Sequence, residues 1–384
     1  MHRLGRFGAT LVIAGFALHG RAQISPPTEV AAPAPSAEEV EPLRTWDVTG
    51  NWRAAFGHKE NVLLSAVRSE NSAFAQAEGE LFWWRMPTER FEAMAFGNAT
   101  LTRFFESTEN PREWQAFARG EARWFFPSQL QATAVAEAYH LDQIFDLSAT
   151  TAEHLVARLA VTGALASAAL RWEAPTETWL ELKPTVQRDR YRDGTDDNAQ
   201  HLLRAAAGHP FLAGRVEVSL AAQAMRRTYD FRPQYTTAGR PLPGSELIFE
   251  QREGEFAVDV TWDQARLWKT TTSGALLINE DNGSGFFDYE HRYLRQEIAW
   301  TRAPWKIRLI GRVGRYDYDV QTVGIGINPP KRRKDEHLAQ LRLERQWKEN
   351  VRLYFDYVGE RSRSNDPLAN YRVNTASAGA DWAF

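Results

Sequence analysis

Residues 46 to 56 read Trp46-Asp47-Val48-Thr49-Gly50-Asn51-Trp52-Arg53-Ala54-Ala55-Phe56. The even positions are apolar or glycine, while Asp47, Thr49, Asn51 and Arg53 take the odd ones. A period of two marks a β-strand with one apolar and one polar face. The pattern returns where Trp114, Ala116, Ala118, Gly120, Ala122 and Trp124 oppose Glu113, Gln115, Arg119, Glu121 and Arg123. Further on, Ala339, Leu341 and Leu343 oppose Gln340, Arg342 and Glu344, and Val351, Leu353, Phe355 and Tyr357 oppose Arg352, Tyr354, Asp356 and Glu360. Between Trp305 and Val320 the apolar parity switches near Arg315, which predicts a bulge or a strand leaving a membrane.

Marking every such segment predicts sixteen strands, at 45–57, 72–86, 89–106, 112–126, 129–143, 153–172, 177–191, 198–207, 212–229, 250–262, 265–279, 285–302, 305–321, 336–347, 350–363 and 370–384. An even count suits an all-β, antiparallel up-and-down barrel with both chain ends on one side. Fourteen or eighteen strands stay open, because 198–279 is the least regular stretch. Most segments exceed the roughly 9–11 residues that a tilted strand needs to cross a bilayer. The connections alternate in length. Short turns fall at Met86-Pro87-Thr88, Pro127-Ser128, Ala174-Pro175-Thr176, Ala303-Pro304 and Lys348-Glu349-Asn350, and longer polar loops lie between them. Short turns on one side and long loops on the other belong to outer-membrane barrels. Of the 14 tryptophans, Trp83, Trp84, Trp124, Trp172, Trp179, Trp262, Trp300, Trp305 and Trp347 lie near short turns, and Trp46 and Trp382 lie at the chain ends on the same side. That placement predicts a periplasmic-side aromatic girdle, since indoles favour the membrane boundary.

Composition narrows the function. The chain has 384 residues, 43% hydrophobic and 25% charged, which excludes a disordered or collagen-like protein. No run reaches the roughly 18 apolar residues of a membrane helix. Zero cysteines exclude a disulfide scaffold, a thiolate zinc site and a cysteine nucleophile. A net charge of −3 gives no field for nucleic acid. Residues 1–22 read as a secretory signal: His2, Arg3 and Arg6, an apolar run from Ala9 to Leu18, then Gly20 and Ala22 before the cut. Residues 23–44, with Pro26, Pro27, Pro33, Pro35 and Pro42, read as a Pro/Ala-rich periplasmic tether, either a spacer or a docking arm for a periplasmic partner. Residues 45–384 form the barrel as one domain.

The last strand places Ala376, Ala378, Ala380, Trp382 and Phe384 on one parity. It resembles the terminal strand of Gram-negative outer-membrane β-barrels. The resemblance implies outer-membrane localisation and recognition of Trp382 and Phe384 by the barrel-assembly machinery. The segment Phe56-Gly57-His58-Lys59-Glu60-Asn61-Val62 is similar to a Gly-x-x-x-Asn-Val turn after the first strand of β-barrel porins of uncharacterised function. Porins of this size often form homotrimers.

Sixteen strands enclose a lumen too wide for side chains alone to fill, so its default content is water. The alternation directs Arg53, Glu78, Glu80, Arg119, Glu121, Arg123, Glu181, Lys183, Lys306, Arg308, Arg312, Arg342, Glu344, Arg352, Asp356 and Glu360 inward, because charges are costly in hydrocarbon. They predict an ionic lattice stiffening the wall; Lys306, Arg308 and Arg312 as a basic ladder for anionic solutes is the alternative. The loop Arg232–Phe249 either folds inward as a constriction, the preferred reading, or lies over the mouth. Lys331, Arg332, Arg333 and Lys334 read as a solvated outer loop, with contact to outer-membrane lipid or lipopolysaccharide as the sharper option. His140, Asp142, Asp146 and Ser148 raise a hydrolase, but His140 shares the apolar parity and points outward. Asp193, Asp196, Asp197 and Asn198 lack the spacing of a calcium loop and read as a polar turn. No cofactor is indicated. The expected function is a porin-like channel for small hydrophilic solutes or an exported polymer; the alternatives are a non-conducting barrel partner of an envelope assembly or export system, and an outer-membrane hydrolase.

Overall fold

A computed structural model describes residues 45–146, 156–262 and 267–384. The predicted signal, the tether and Ser148 lie outside the described residues. In chain order the first strands are β1 (Trp46–Lys59), β2 (Ser72–Arg85), β3 (Phe91–Phe104), β4 (Arg112–Phe126), β5 (Leu130–Asp146), β6 (Val156–Glu173), β7 (Trp179–Tyr191), β8 (Asn198–Phe211) and β9 (Val216–Tyr229). Two short strands, β10 (Gln234–Tyr235) and β11 (Pro241–Leu242), pair with each other inside the longest loop. There follow β12 (Ile248–Thr261), β13 (Trp268–Asp281), β14 (Tyr289–Arg302), β15 (Trp305–Thr322), β16 (Lys331–Lys348), β17 (Val351–Ser364) and β18 (Tyr371–Ala383). All except β10 and β11 form one closed antiparallel barrel of sixteen strands, each bonded to its neighbour in sequence.

Closure joins β1 to β18, from Asn51 opposite Ala383 to Lys59 opposite Thr375. The terminal residue completes this seam: Gly50 and Phe384 exchange two backbone hydrogen bonds, of 3.0 and 2.9 Å. The Phe384 ring covers Gly50 so closely that a Cβ there would fall 2.2 Å from it. Similar seats recur between opposed residues. Trp52 covers Gly79, Tyr139 covers Gly163, Trp179 covers Gly208 and Tyr354 covers Gly379. A glycine in a strand lacks side-chain contacts, and a neighbouring ring laid over it restores them.

The alternation sorts side chains by solvent. Leu81, Leu170, Leu203, Leu220, Leu294, Leu309 and Leu353 are exposed on one face of strands right round the cylinder. A soluble protein avoids so continuous an apolar band, and a membrane barrel requires one. The opposite face carries the charged residues and is the inner wall. The predicted parity switch at Arg315 is the strand leaving the apolar band, and a register irregularity follows between Asp317 and Thr322. Register stays continuous from Trp305 opposite Arg345 to Asp317 opposite Arg333. Below Arg315 the outward residues are Ile307, Leu309 and Val313; above it Asp317 faces out and Tyr316 and Tyr318 are buried inside.

Several boundaries differ from expectation, and those of β8, β14 and β16 have a clear cause. β8 runs to Phe211, past Gly208 and Pro210, because Gly208 seats the Trp179 ring and the chain reverses instead at Leu212, Ala213 and Gly214, all with φ between 53° and 76°. β14 begins at Tyr289, after a loop rather than at 285. β16 begins at Lys331, so the basic run forms the start of a strand and not a solvated loop. The Phe56–Val62 segment turns only at its end: β1 continues to Lys59, with Gly57 lying under the Phe74 ring. Asn61 makes the turn, with φ 48° and its side chain bonded to Ser65, while Val62 is fully buried against Phe74 and Phe104.

Candidate functional site in the barrel lumen

The middle of the inner wall and its short-turn end carry an ionic lattice. Arg53 pairs with Glu78 at 2.8 Å and Asp381 at 3.6 Å, and Glu80 accepts a bond from Asn51. Arg119 joins Glu121 and Glu137, and Arg123 joins Glu121 and Glu92. Arg204 lies between Glu181 and Glu255, at 3.8 and 3.2 Å. Arg342 binds Asp356 and Glu344, and Arg352 binds Glu344 at 2.9 Å. Lys183 stands opposite Arg204, and Glu360 opposite Leu338, on the same inner face. Single water-exposed pairs contribute only about 0–1 kcal/mol, but shared partners fix one another's rotamers. The basic ladder does not stand free. Arg308 is clamped by Glu297 at 2.6 and 3.0 Å, Lys306 faces Glu344 across the ladder, and Arg312 lies over the Tyr293 ring at 4.7 Å.

The outer end of the lumen is built differently. Lys334 and Arg332, expected in a solvated loop, are each only 2% exposed. Their parity on β16 aims them inward. Lys334 Nζ donates to Asp146 Oδ2 at 2.8 Å and lies 2.9 Å from Glu336 Oε1. Asp146 ends β5, seven strand positions from β16 by the shorter way round, so this contact crosses the lumen. Arg332 donates to Gln321 at 2.8 Å and covers the Tyr318 ring. Around the other side, Tyr139 and Gln200 donate to Asp189, and Arg227 donates to Gln200 at 3.2 Å. Spacing could not reveal this layer, because its partners come from strands distant in sequence.

The longest loop completes the layer by folding inward. Leu247 is fully buried, and Arg232 stacks on Tyr229 and Phe287 at 5.4 and 4.8 Å while Asp196 lies 3.7 Å away. Tyr229 and Phe249 belong to the inner wall, so the base of the loop packs inside the mouth. The next loop contributes Phe286 and Phe287, with Tyr235 stacked on Phe286 at 5.9 Å. In that loop burial lifts the Asp288 carboxyl to about 6, with Asp281 and Asp319 adding repulsion; the Asp281 amide, bonded to Oδ1 at 2.6 Å, opposes the rise.

The tryptophans divide. Trp46, Trp83, Trp124, Trp172, Trp262, Trp305, Trp347 and Trp382 are exposed at the short-turn end, and Trp300 lies 6.1 Å from Trp268, a further exposed member that the turn positions had not singled out. Trp84 and Trp179 are corrections. Trp84 shares the inward parity of Glu78 and Glu80, and Trp179, 8% exposed, donates from Nε1 to Glu217 inside the wall. Nearness to a turn selected them, but parity decides which solvent they meet.

No hydrolytic constellation forms among the described residues. His140 Nδ1 contacts Thr162 Oγ1 at 2.9 Å, Asp142 is held by Arg158 and Arg192, and Asp146 by Lys334. Asp197 caps the Tyr191 amide at 2.6 Å and Asn198 bonds the Asp196 carbonyl, each serving its own turn. Among the described residues no three His, Asp or Glu side chains group as metal ligands.

No family model and no curated protein matches this sequence. Solved structures similar in backbone include OccAB4 of Acinetobacter baumannii, with 10% identity, TM-score 0.48, and coverage of 88% of this chain and 98% of that one. OccK2 (OpdF) of Pseudomonas aeruginosa, solved in complex with glucuronate, gives 11%, 0.49, 88% and 97%. A BenF-like porin from Pseudomonas fluorescens gives 9%, 0.44, 88% and 99%. On its own geometry, the chain is an outer-membrane β-barrel: sixteen antiparallel strands closed on themselves, an apolar exterior and a ring of tryptophans at the short-turn rim.

Proposed function

We propose that the protein is a porin-like channel for passive diffusion of small hydrophilic solutes, with its filter at the outer mouth. The observation that carries the reading is the contact of Lys334 with Asp146 across the lumen, set above a wall lined with paired charges. Water-filled barrels select by width and by fixed charge, and a layer of alternating sign with tyrosines between admits polar solutes while excluding bulky ones. The inner lattice leaves little net field, which favours small neutral or zwitterionic solutes over strongly charged ones. Nothing in the wall calls for a reaction, so solutes cross unchanged.

The buried mouth also supports a second reading, a barrel that conducts nothing and serves an envelope assembly or export system through residues 23–44. Planar-bilayer recordings separate the two. The channel reading expects small discrete steps from the full chain, and larger steps when residues 233–245 are replaced by a short Gly/Ser turn. Electrical silence from both proteins overturns it.

A further inference from the structure

On the outside of the barrel, beneath its outer end, β14 to β18 carry a groove of about 500 Å³. Its floor is a row of small residues in direct register: Gly311 opposite Ala339, and Ala339 opposite Gly359. A Cβ added at Gly311 would meet no atom within 4 Å, so the space is open. Leu294 and Val313 flank the floor on the side toward β14.

The groove's upper edge is basic. Arg361 and Arg372 are both exposed and stand directly opposite one another, with His337 the partner of Arg361 on the other side. Like charges opposed across a ladder destabilise it. On the neighbouring strands three outward arginines carry their own counter-charge: Arg315 binds Asp335 at 2.7 Å, Arg333 binds Asp317 at 3.0 Å, and Arg292 pairs with Glu290. Among the described residues, no carboxylate lies within ion-pair distance of Arg361 or Arg372. The pair therefore offers a forked donor set to an anion, at the level where the apolar band ends.

A free anion would use the arginines but leave the groove below them empty. A phosphorylated lipid fills both. We propose that this groove seats one phosphorylated membrane lipid, its phosphate between Arg361 and Arg372 and an acyl chain laid along Gly311 and Ala339. The inference rests on the barrel's place in a membrane, not on what passes through its lumen.

The test uses the full-length mature protein in detergent micelles, with native mass spectrometry counting bound lipid. The probes are bis-phosphorylated lipid A, the same lipid dephosphorylated, and inorganic phosphate. The wild type should retain one phosphorylated lipid, and the dephosphorylated form should bind about tenfold more weakly or worse. R361Q/R372Q should lose about tenfold or more in affinity. Gly311→Leu, which fills open space, should weaken binding with both arginines intact, while Arg315→Gln should leave it unchanged. Heat-modifiable migration on gels reports whether each variant is folded. Equal binding of the dephosphorylated lipid, unchanged affinity in folded R361Q/R372Q, or displacement of the lipid by millimolar phosphate would each overturn the proposal. A barrel that conducts normally yet binds no lipid sinks this inference alone; one that binds the lipid but never conducts sinks only the channel reading.

Discussion

Replacing Lys334 by methionine keeps the side chain's length and removes the cation that two carboxylates share. Its Nζ lies 2.8 Å from Asp146 and 2.9 Å from Glu336, almost wholly out of solvent. Removing one partner of a buried ion pair costs roughly 3–5 kcal/mol, because the remaining charge is stranded. The barrel can escape that cost without unfolding, if the end of β5 withdraws from β16 and water reaches Asp146. At about 1.4 kcal/mol per factor of ten, the ratio of open to closed mouths rises by about two to four powers of ten. Single-channel recording of purified Lys334→Met in planar bilayers reads this directly. The open fraction should rise at least tenfold over the wild type, and Asp146→Asn should add little in the Lys334→Met background because the contact is already gone. An unchanged open fraction and step size, or independent additive effects of the two substitutions, would refute the gate.

Two further outcomes follow from the same geometry. Because burial raises the Asp288 carboxyl to about 6 when its loop is seated, seating is coupled to proton uptake. The loop should hold more firmly as pH falls through about 6 and loosen as pH rises past it, so open probability should drop in acid; Asp288→Asn should flatten that dependence, and a wild-type response that persists in the variant would count against the assignment. Gly208→Val places a Cβ about 2.4 Å from the Trp179 ring and must expel it, so the heat-modifiability midpoint should fall by an amount matching about 1–3 kcal/mol, with Trp179→Ala in the same background relieving part of the loss.

The barrel was legible because lipid and water impose opposite chemistry on the two faces of every strand. Trp46 to Phe56 and Val351 to Glu360 show that contrast residue by residue, and sixteen strands were expected where sixteen form. The contrast fails at the outer end, where the outside is wet and the inside is packed with Tyr316, Tyr318 and Phe249. There the rule inverts, which is why the apolar parity switches at Arg315 and why the basic run at Lys331 looked like a loop. Glycine misled for a related reason. Gly57 lies in a segment read as a turn and Gly208 just past a strand expected to end at 207, but a missing Cβ serves equally to admit a neighbour's ring, and only the three-dimensional partner tells which. Trp84 and Trp179 could have been placed from sequence, since each shares parity with nearby acids. The contact between Lys334 and Asp146 could not, because 188 residues separate its members.

The absence of native cysteine makes the most direct test simple. Single cysteines at Tyr354, Asp356 and Val358, and at Leu353, Phe355 and Tyr357, can be challenged in isolated outer membranes with a water-soluble, membrane-impermeant maleimide. A closed cylinder with a hydrated lumen predicts that the first three react and the second three stay protected, alternating along β17. Uniform labelling, or protection at Asp356 with reaction at Phe355, would contradict it.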